Sequence, residues 1–169
     1  MVRVARKLSL PMIPGAPKED ASPTIERMRQ RLGGRLPLDA PVGALPPGAL
    51  VSLTTAKGGE RIGILLGDDG RAVDVYLERG VVKRTRVDSV TLHVGEPTDE
   101  QALVSTHARL FAALREGERV VVEEPEGRST TGRIREKCRF GALVEAEGGR
   151  NLAVGFRRLW PSAKEDSPS

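Results

Sequence analysis

Aromatic side chains are scarce in this sequence, at 3% of its 169 residues. Methyl-lysine cages need several rings around one cation, and proteins that bind single-stranded nucleic acid stack bases on exposed rings. Grooves for proline-rich ligands are also lined by aromatics. The scarcity argues against all three modes of recognition. Trp160, which follows the last predicted strand, is expected to act as a hydrophobic plug rather than as a stacking platform.

The residues and motifs on which most enzymes depend are missing as well. The one cysteine, Cys138, cannot form an internal disulfide or a zinc site by itself, and only two histidines are present, His93 and His107. The sequence contains no GxxxxGK[ST] phosphate loop, no GxGxxG, no HExxH and no GxSxG. We therefore expect a protein that is not an enzyme, with no catalytic residue, metal, cofactor or small-molecule substrate. Cys138 is expected to be a buried small hydrophobe that shares the inner face of its strand with Ile134.

Long hydrophobic runs are absent too. No stretch approaches the roughly 20 apolar residues that cross a bilayer. The basic start, MVRVARKLSL, lacks the apolar core of a secretory signal. These features predict a soluble chain without a membrane partner. The lone cysteine and the missing signal favour the cytoplasm.

The basic excess of the chain is confined to its first segment. The formal charge is +4, and residues 1–46 hold eight basic and four acidic side chains, so the remainder is neutral. Prolines interrupt this segment, which predicts a basic arm with one short helix. That helix should begin after Ser22 and end at Gly33–Gly34.

The sequence repeats itself at an offset of 69 residues. Four pairs of glycines coincide in this register: Gly48 with Gly117, Gly58 with Gly127, Gly63 with Gly132, and Gly80 with Gly149. Glycine is placed where the backbone needs a positive φ or a close approach. The shared register therefore predicts that the two repeats share a backbone geometry.

Each repeat predicts five short antiparallel strands. Runs rich in Val, Ile and Leu are separated by turns that contain glycine. Strands this short suit a small closed barrel, because closure removes exposed edges. The predicted fold is mainly β, with two tandem five-stranded barrels joined by one helix. The predicted segments are the arm at 1–46, barrels at 47–94 and 116–161, the connecting helix at 95–115 and a disordered tail at 162–169.

Two stretches, PGALVSLTTAKGGERIGILL and EGERVVVEEPEGRSTTGRI, carry a family resemblance. A glycine before a strand, then a turn, then a strand with a central glycine resembles the SH3-like barrels of the Tudor and KOW type. The resemblance covers somewhat over half of the chain. It implies binding to RNA, DNA, ribosomal partners or peptide tails, and it does not choose among them. The segment RMRQR also has the spacing found ahead of PilZ barrels, but the companion DxSxxG motif is missing.

The connecting segment predicts an amphipathic helix. Thr98 fits an N-cap, and Gln101 lies at the capping-box spacing. Leu103, Leu110, Phe111 and Leu114 fall on one stripe. Because an isolated helix of this length is marginal in water, the stripe should pack on one or both barrels and fix the angle between them.

Basic side chains are the candidate binding residues. Arg133, Arg135, Lys137 and Arg139 alternate along one predicted strand, so they should line up about 7 Å apart on one face and could follow a phosphate backbone. The alternative is an ordinary solvated strand face. The other candidates lie in two clusters and the arm: Lys83, Arg84, Arg86, Arg157, Arg158, Arg27 and Arg31. If these faces coincide, a composite basic groove would cross both barrels.

The sequence thus predicts a non-catalytic binding module that associates with RNA or DNA through phosphate contacts. The alternative is an adaptor or assembly subunit that binds a peptide or a neighbouring protein. The arm carries Leu8, Leu10, Met12 and Ile13, which suit a protein partner better than phosphate.

Overall fold

The computed structural model describes residues 23–37 and 42–162. Most of the predicted basic arm and nearly all of the predicted disordered tail therefore lie outside the described residues. The helices are α1 (Pro23–Arg31) and α2 (Asp99–Ala113). The strands are β1 (Leu50–Thr54), β2 (Glu60–Asp68), β3 (Ala72–Tyr76), β4 (Val82–Arg86), β5 (Val90–Leu92), β6 (Arg119–Glu123), β7 (Ser129–Lys137), β8 (Gly141–Ala146), β9 (Asn151–Gly155) and β10 (Leu159–Pro161). Neither helix has the length and apolar character needed to cross a membrane.

The strands form two five-stranded antiparallel sheets. Their orders are β4-β3-β2-β1-β5 and β10-β6-β7-β8-β9, so each sheet is a meander whose last strand pairs with its first. The prediction of a mainly β fold with two five-stranded units is confirmed. Neither sheet is hydrogen-bonded into a closed cylinder, because two strands remain at the edges of each. Closed barrels are therefore not confirmed.

The two sheets repeat each other residue by residue. Leu50 pairs with Ile64 in the first sheet, and Arg119 pairs with Arg133 in the second, which is the same pair moved by 69 positions. Both long strands also carry a bulge at the same place, between Leu65 and Gly67 in β2 and between Ile134 and Glu136 in β7. The offset read from the glycines is therefore the offset of the strand pairing itself.

The repeated glycines occupy positions where other residues would be strained. Gly48 and Gly117 have φ values of +89° and +92°, in the left-handed region. A Cβ on Gly63 would lie 2.4 Å from Val75 Cγ1, and one on Gly132 would lie 2.7 Å from Val144 Cγ1. Because the same contact recurs in both sheets, glycine is needed there for close approach of neighbouring strands.

The helix α2 joins the two sheets through one shared core. Its buried Val104, Ala108 and Phe111 pack with Ile64 and Leu66 of β2 on one side. On the other side they contact the inner face of the second sheet, formed by Val120, Val122, Ile134, Ala142, Val144, Val154, Phe156 and Leu159. The first sheet has a separate core on its inner face, built around Val51, Leu53, Leu65, Val73, Val75, Leu77 and Val90.

The predicted N-terminus of α2 is confirmed, and its predicted apolar stripe needs one correction. The Thr98 hydroxyl accepts from the Gln101 amide, and the Gln101 side chain accepts from the Thr98 amide, which forms the capping box. Leu103, which was placed on the buried stripe, is 45% exposed. The neighbouring Val104 faces the core instead, whereas Phe111 and Leu114 of the predicted stripe are buried as expected.

The short helix α1 packs on the outer side of the second sheet. It begins at Pro23 and ends at Arg31, with Gly33 in the left-handed region just after it, as the sequence predicted. Ile25 and Leu32 are buried against Leu143 and Cys138. The chain that follows α1 is bonded to the end of β7, since Leu36 donates its amide to the Lys137 carbonyl at 2.8 Å.

Candidate binding cleft

The four cations predicted on β7 do not form a single row. Arg133 pairs with Glu145 and Lys137 pairs with Ala142, and these two residues of β8 lie on opposite faces of the sheet. The bulge after Ile134 inserts one extra residue and so reverses the alternation between Arg133 and Lys137. The prediction that all four share one face is wrong for this reason.

The bulge also relocates Cys138. The thiol is fully buried, as predicted, but it packs with α1 and Leu143 rather than with Ile134. Burial raises the pKa of the Cys138 thiol to about 11. Cys138 is therefore a buried, protonated thiol beneath α1.

Lys137 caps the C-terminus of α2. Its Nζ donates to the carbonyls of Phe111 and Leu114 at 2.7 and 2.9 Å, and it lies 4.3 Å from the centre of the Phe111 ring. Cations at this end of a helix are stabilised by the unpaired carbonyls and the helix dipole. Burial lowers the pKa of this amine to about 8. Lys137 thus fixes the end of α2 to the second sheet.

Most of the other predicted binding residues also have intramolecular partners. The partner of each is as follows: Arg84 with Asp69 and Asp74, Arg86 with Asp88, Arg157 with Glu100 and Tyr76, Arg158 with the Glu123 carbonyl, Arg133 with the Gly117 carbonyl, and Arg135 with Asn151. Lys83, Arg27 and Arg31 are exposed. The candidate cations are therefore distributed over several surfaces rather than gathered in one groove.

A cleft of about 630 Å³ lies where the two sheets and the end of α2 meet. We call it the inter-sheet cleft. Its walls are lined by Leu36, Pro37, Val42, Pro47, Leu66, Gly67, Asp68, Asp69, Ala72, Asp74, Arg84, Phe111, Ala112, Lys137 and Arg139. Three predicted binding residues, Arg84, Lys137 and Arg139, are brought together here. They face three aspartates, so the cleft is not the basic groove that the sequence suggested.

Asp74 is at the centre of the charged cluster in this cleft. It is 5% exposed, and each of its carboxylate oxygens accepts from Arg84 Nη1 at 3.1 Å. Arg139 Nη1 lies 3.7 Å from the same carboxylate. Asp69 accepts from the amides of Arg71 and Ala72 and from Arg84, and these bonds lower the pKa of Asp69 to about 2. Hydrogen bonds therefore hold Asp69, Asp74 and Arg84 in fixed positions relative to one another.

Three charged residues of the cleft have uncharged equivalents in the other repeat. At the repeat offset of 69 residues, Asp74 is equivalent to Leu143, Arg84 to Ala153, and Arg139 to Gly70. The second sheet folds with the same strand register and without this cluster. Sequence reasoning missed Asp74, although one aspartate among the apolar residues of AVDVY was a signal that could have identified it.

The outer faces of the two sheets also differ, but at these equivalent positions the first sheet is apolar and the second is polar. The outer face of the first sheet carries Leu50, Ile64, Leu66, Tyr76 and Val82, which pack into the shared core. The equivalent residues of the second sheet are Arg119, Arg133, Arg135, Glu145 and Asn151. These polar residues are exposed or half-buried. The first repeat therefore packs this part of its outer face into the shared core, whereas the matching positions of the second repeat are polar, beside the part of that face that α1 covers.

A buried histidine lies between α2 and the second sheet. His107 is 4% exposed, and its ring meets the Trp160 ring edge-on at a centroid distance of 4.5 Å. Within the described residues, both His107 nitrogens and Trp160 Nε1 have no hydrogen-bond partner. Burial, and then the charge of Arg157, lower the pKa of His107. The contact agrees with a plugging role for Trp160.

In the part of the chain that the structure describes, no three His, Cys, Asp or Glu side chains are grouped as a metal site would require. No protein-family model matches the sequence, and no curated protein matches it.

Proposed function

We propose that this protein is a non-catalytic binding module whose inter-sheet cleft receives an extended polypeptide segment of a partner protein. The observation that carries the proposal is the cleft itself, which combines apolar walls with one fixed cluster of charges. Binding sites are typically concave and mostly apolar, with a few polar groups that fix orientation. A cleft of about 630 Å³ has room for a few side chains of a peptide.

A peptide fits this cleft better than a phosphate backbone does. Asp68, Asp69 and Asp74 line it alongside Arg84, Lys137 and Arg139, so the lining has no net positive charge. Phosphate recognition depends on cations that are available for counterion release. Here Lys137 is bonded to α2, and Arg84 is bonded to two aspartates.

We also propose that each sheet belongs to the SH3-like class that the sequence resembles. In both sheets the last strand follows a single 3-10 turn, Val87–Ser89 and Phe156–Arg158, and pairs with the first strand. This order is consistent with the Tudor and KOW type. A cytoplasmic location is part of the same proposal, because a single buried free thiol needs no oxidising compartment.

Nucleic acid is the competing candidate. The observation that favours it is the outer face of the second sheet, where Arg119 and Arg133 are directly paired and exposed. Like charges placed opposite each other destabilise a sheet, and a bound phosphate would relieve that repulsion. Glu145, paired with Arg133 on the same face, weakens this argument because it already supplies a negative charge.

A peptide-display selection tests the proposal. Random peptides are selected for binding to the full chain. The enriched peptides are then labelled, and their affinity for the wild type and for two variants is measured by fluorescence anisotropy. Ala112 is exposed on α2 and lines the cleft, whereas the adjacent Ala113 is exposed and does not line it. Ala112→Trp should fill the cleft and weaken binding at least about tenfold, whereas the matched Ala113→Trp should bind like the wild type.

Labelled random RNA and DNA are titrated in parallel at about 50 and 200 mM salt. The proposal is overturned if no peptide is enriched, or if both tryptophan variants bind equally well. Binding of either polymer that weakens steeply with salt and is lost in Arg119→Glu would favour the competing candidate.

A further inference from the structure

The inter-sheet cleft contains one guanidinium whose hydrogen-bonding capacity is unused. Among the described residues, the Arg139 side chain has a single charged neighbour, Asp74, at 3.7 Å, and donates no hydrogen bond. That distance is too long for an N–H···O bond. The Arg139 side chain is only 26% exposed. No side-chain nitrogen of Arg139 is among the buried polar atoms that lack a partner in the described part of the chain, so the guanidinium is open to solvent and can meet the acceptor of a ligand.

The other cations in the cleft differ from Arg139 in this respect. Lys137 donates to the carbonyls at the end of α2, and Arg84 donates to Asp69 and Asp74. Both are held by bonds that the fold itself supplies. Arg139 is therefore the cation of the cleft that is left for a ligand.

The carboxylates of the cleft already have donors. Asp74 accepts from Arg84, and Asp69 accepts from Arg84 and two backbone amides. Asp68 accepts from the amides of Leu45 and Gly70 at 3.0 and 2.8 Å. The cleft thus offers one guanidinium that donates no hydrogen bond within the described structure, beside carboxylates that already accept hydrogen bonds from the fold. A ligand complementary to it brings an acceptor group to Arg139.

Building on the proposed function, we propose that the partner segment places an aspartate or glutamate against Arg139, with apolar side chains on either side. A carboxylate matches the planar fork of arginine and accepts two parallel hydrogen bonds. The flanking apolar side chains would lie against Leu66, Phe111 and Pro37. A single negative charge suits the site better than a phosphate dianion, because Asp74 is only 3.7 Å from the guanidinium.

The location of Arg139 supports a role beyond folding. Its equivalent in the first repeat is Gly70, so the repeated turn does not require a side chain here. The backbone of Arg139 is nevertheless held in place, since its amide donates to the Gly34 carbonyl at 3.0 Å. The guanidinium is therefore presented to the cleft from a fixed backbone.

Three peptide libraries test this inference. Each has apolar-rich random flanks and one fixed central residue, which is Glu, Gln or Lys. On the wild-type chain, we expect the Glu library to be enriched at least about tenfold over the Gln library, as one bidentate charge-assisted pair would give. Arg139→Gln should abolish that preference, and Arg139→Lys should retain part of it. The matched control is Arg128→Gln, because Arg128 is 74% exposed and pairs only with the exposed Glu126 in the described structure.

The outcomes separate this inference from the proposed function. If peptides bind the cleft and are displaced by Ala112→Trp, but the Glu and Gln libraries are enriched equally, the role of Arg139 is overturned and the proposed function stands. If no library is enriched on the wild type, both are overturned. Thermal unfolding of Arg139→Lys and Arg139→Gln shows whether each variant is folded. If Arg139→Gln is unfolded, a Glu preference unchanged in folded Arg139→Lys would overturn the inference.

Discussion

His107 shows how one residue can make the stability of this fold depend on pH. Its neutral ring is buried between α2 and the second sheet, where Arg157, Glu123 and Glu100 are the charged groups that act on it. Burial and Arg157 lower its pKa, so the unfolded chain takes up a proton at a higher pH than the folded chain does. Folding is therefore favoured above the ordinary histidine pKa and disfavoured below it.

We expect the free energy of unfolding to fall as pH drops from about 7.5 to about 5.5, a window in which few carboxylates titrate. His107→Leu should remove most of this dependence, and His93→Leu should leave it in place. The measurement is urea unfolding at several pH values, followed by Trp160 fluorescence. An unchanged slope in His107→Leu would contradict the assignment.

At the scale of elements, α1 is held by one buried ion pair as well as by its apolar face. Arg29 donates Nε and Nη2 to the two carboxylate oxygens of Glu136 at 2.7 and 2.8 Å. Glu136 is 2% exposed, and the bond to Arg29 lowers its pKa. The bulge in β7 is what turns Glu136 toward α1, since it lies opposite Leu143 on that face.

Removing one partner of this pair should cost more than removing both. Glu136→Gln removes the buried carboxylate that accepts two hydrogen bonds from Arg29 and leaves Arg29 paired with the exposed Glu26 at 2.8 Å, so we expect a loss of about 3 kcal/mol in the free energy of unfolding. Arg29→Met combined with Glu136→Met should cost much less, because two apolar side chains can pack in the same space. Urea denaturation of both variants checks this. Equal losses of stability in the two variants would contradict the view that an incompletely compensated buried charge is what destabilises Glu136→Gln.

The elements differ in how far the sequence could predict them. Repeated glycines report backbone geometry directly, so the pairing offset of 69 was readable from the four coincident glycine pairs, of which Gly63 and Gly132 make the same close contact. The capping box at Thr98 is equally local. A bulge depends on the partner strand, however, and so the alternation assumed for Arg133 to Arg139 failed after Ile134. The inter-sheet cleft arises only when α2 packs the sheets together, and no local pattern encodes it.

At the scale of the whole molecule, the shared core should make the two sheets unfold together. Phe111 is 3% exposed and packs among residues of both sheets and α2. Phe111→Ala should lower the free energy of unfolding by roughly 3–5 kcal/mol and weaken both sheets. Hydrogen exchange should then show reduced protection in β1–β3 and in β6–β8 alike. Leu103→Ala, at an exposed position of the same helix, is the control.

Two separate unfolding transitions in the wild type would contradict this view of the core. So would a Phe111→Ala variant in which only one sheet loses protection. In either case α2 would be a linker between independent units rather than their common centre.

Because the outer faces of the two repeats differ, a third repeat could not pack on the second as the second packs on the first. The first sheet buries Ile64 and Leu66 beneath α2, whereas the second sheet carries Arg133 and Arg135 at the matching places. A third repeat added by the same geometry would meet charge instead of an apolar surface. Repeat arrays require a polar outer face on their terminal units to remain in solution. The polar residues at these positions of the second repeat would therefore disfavour the packing of a third repeat in the same geometry.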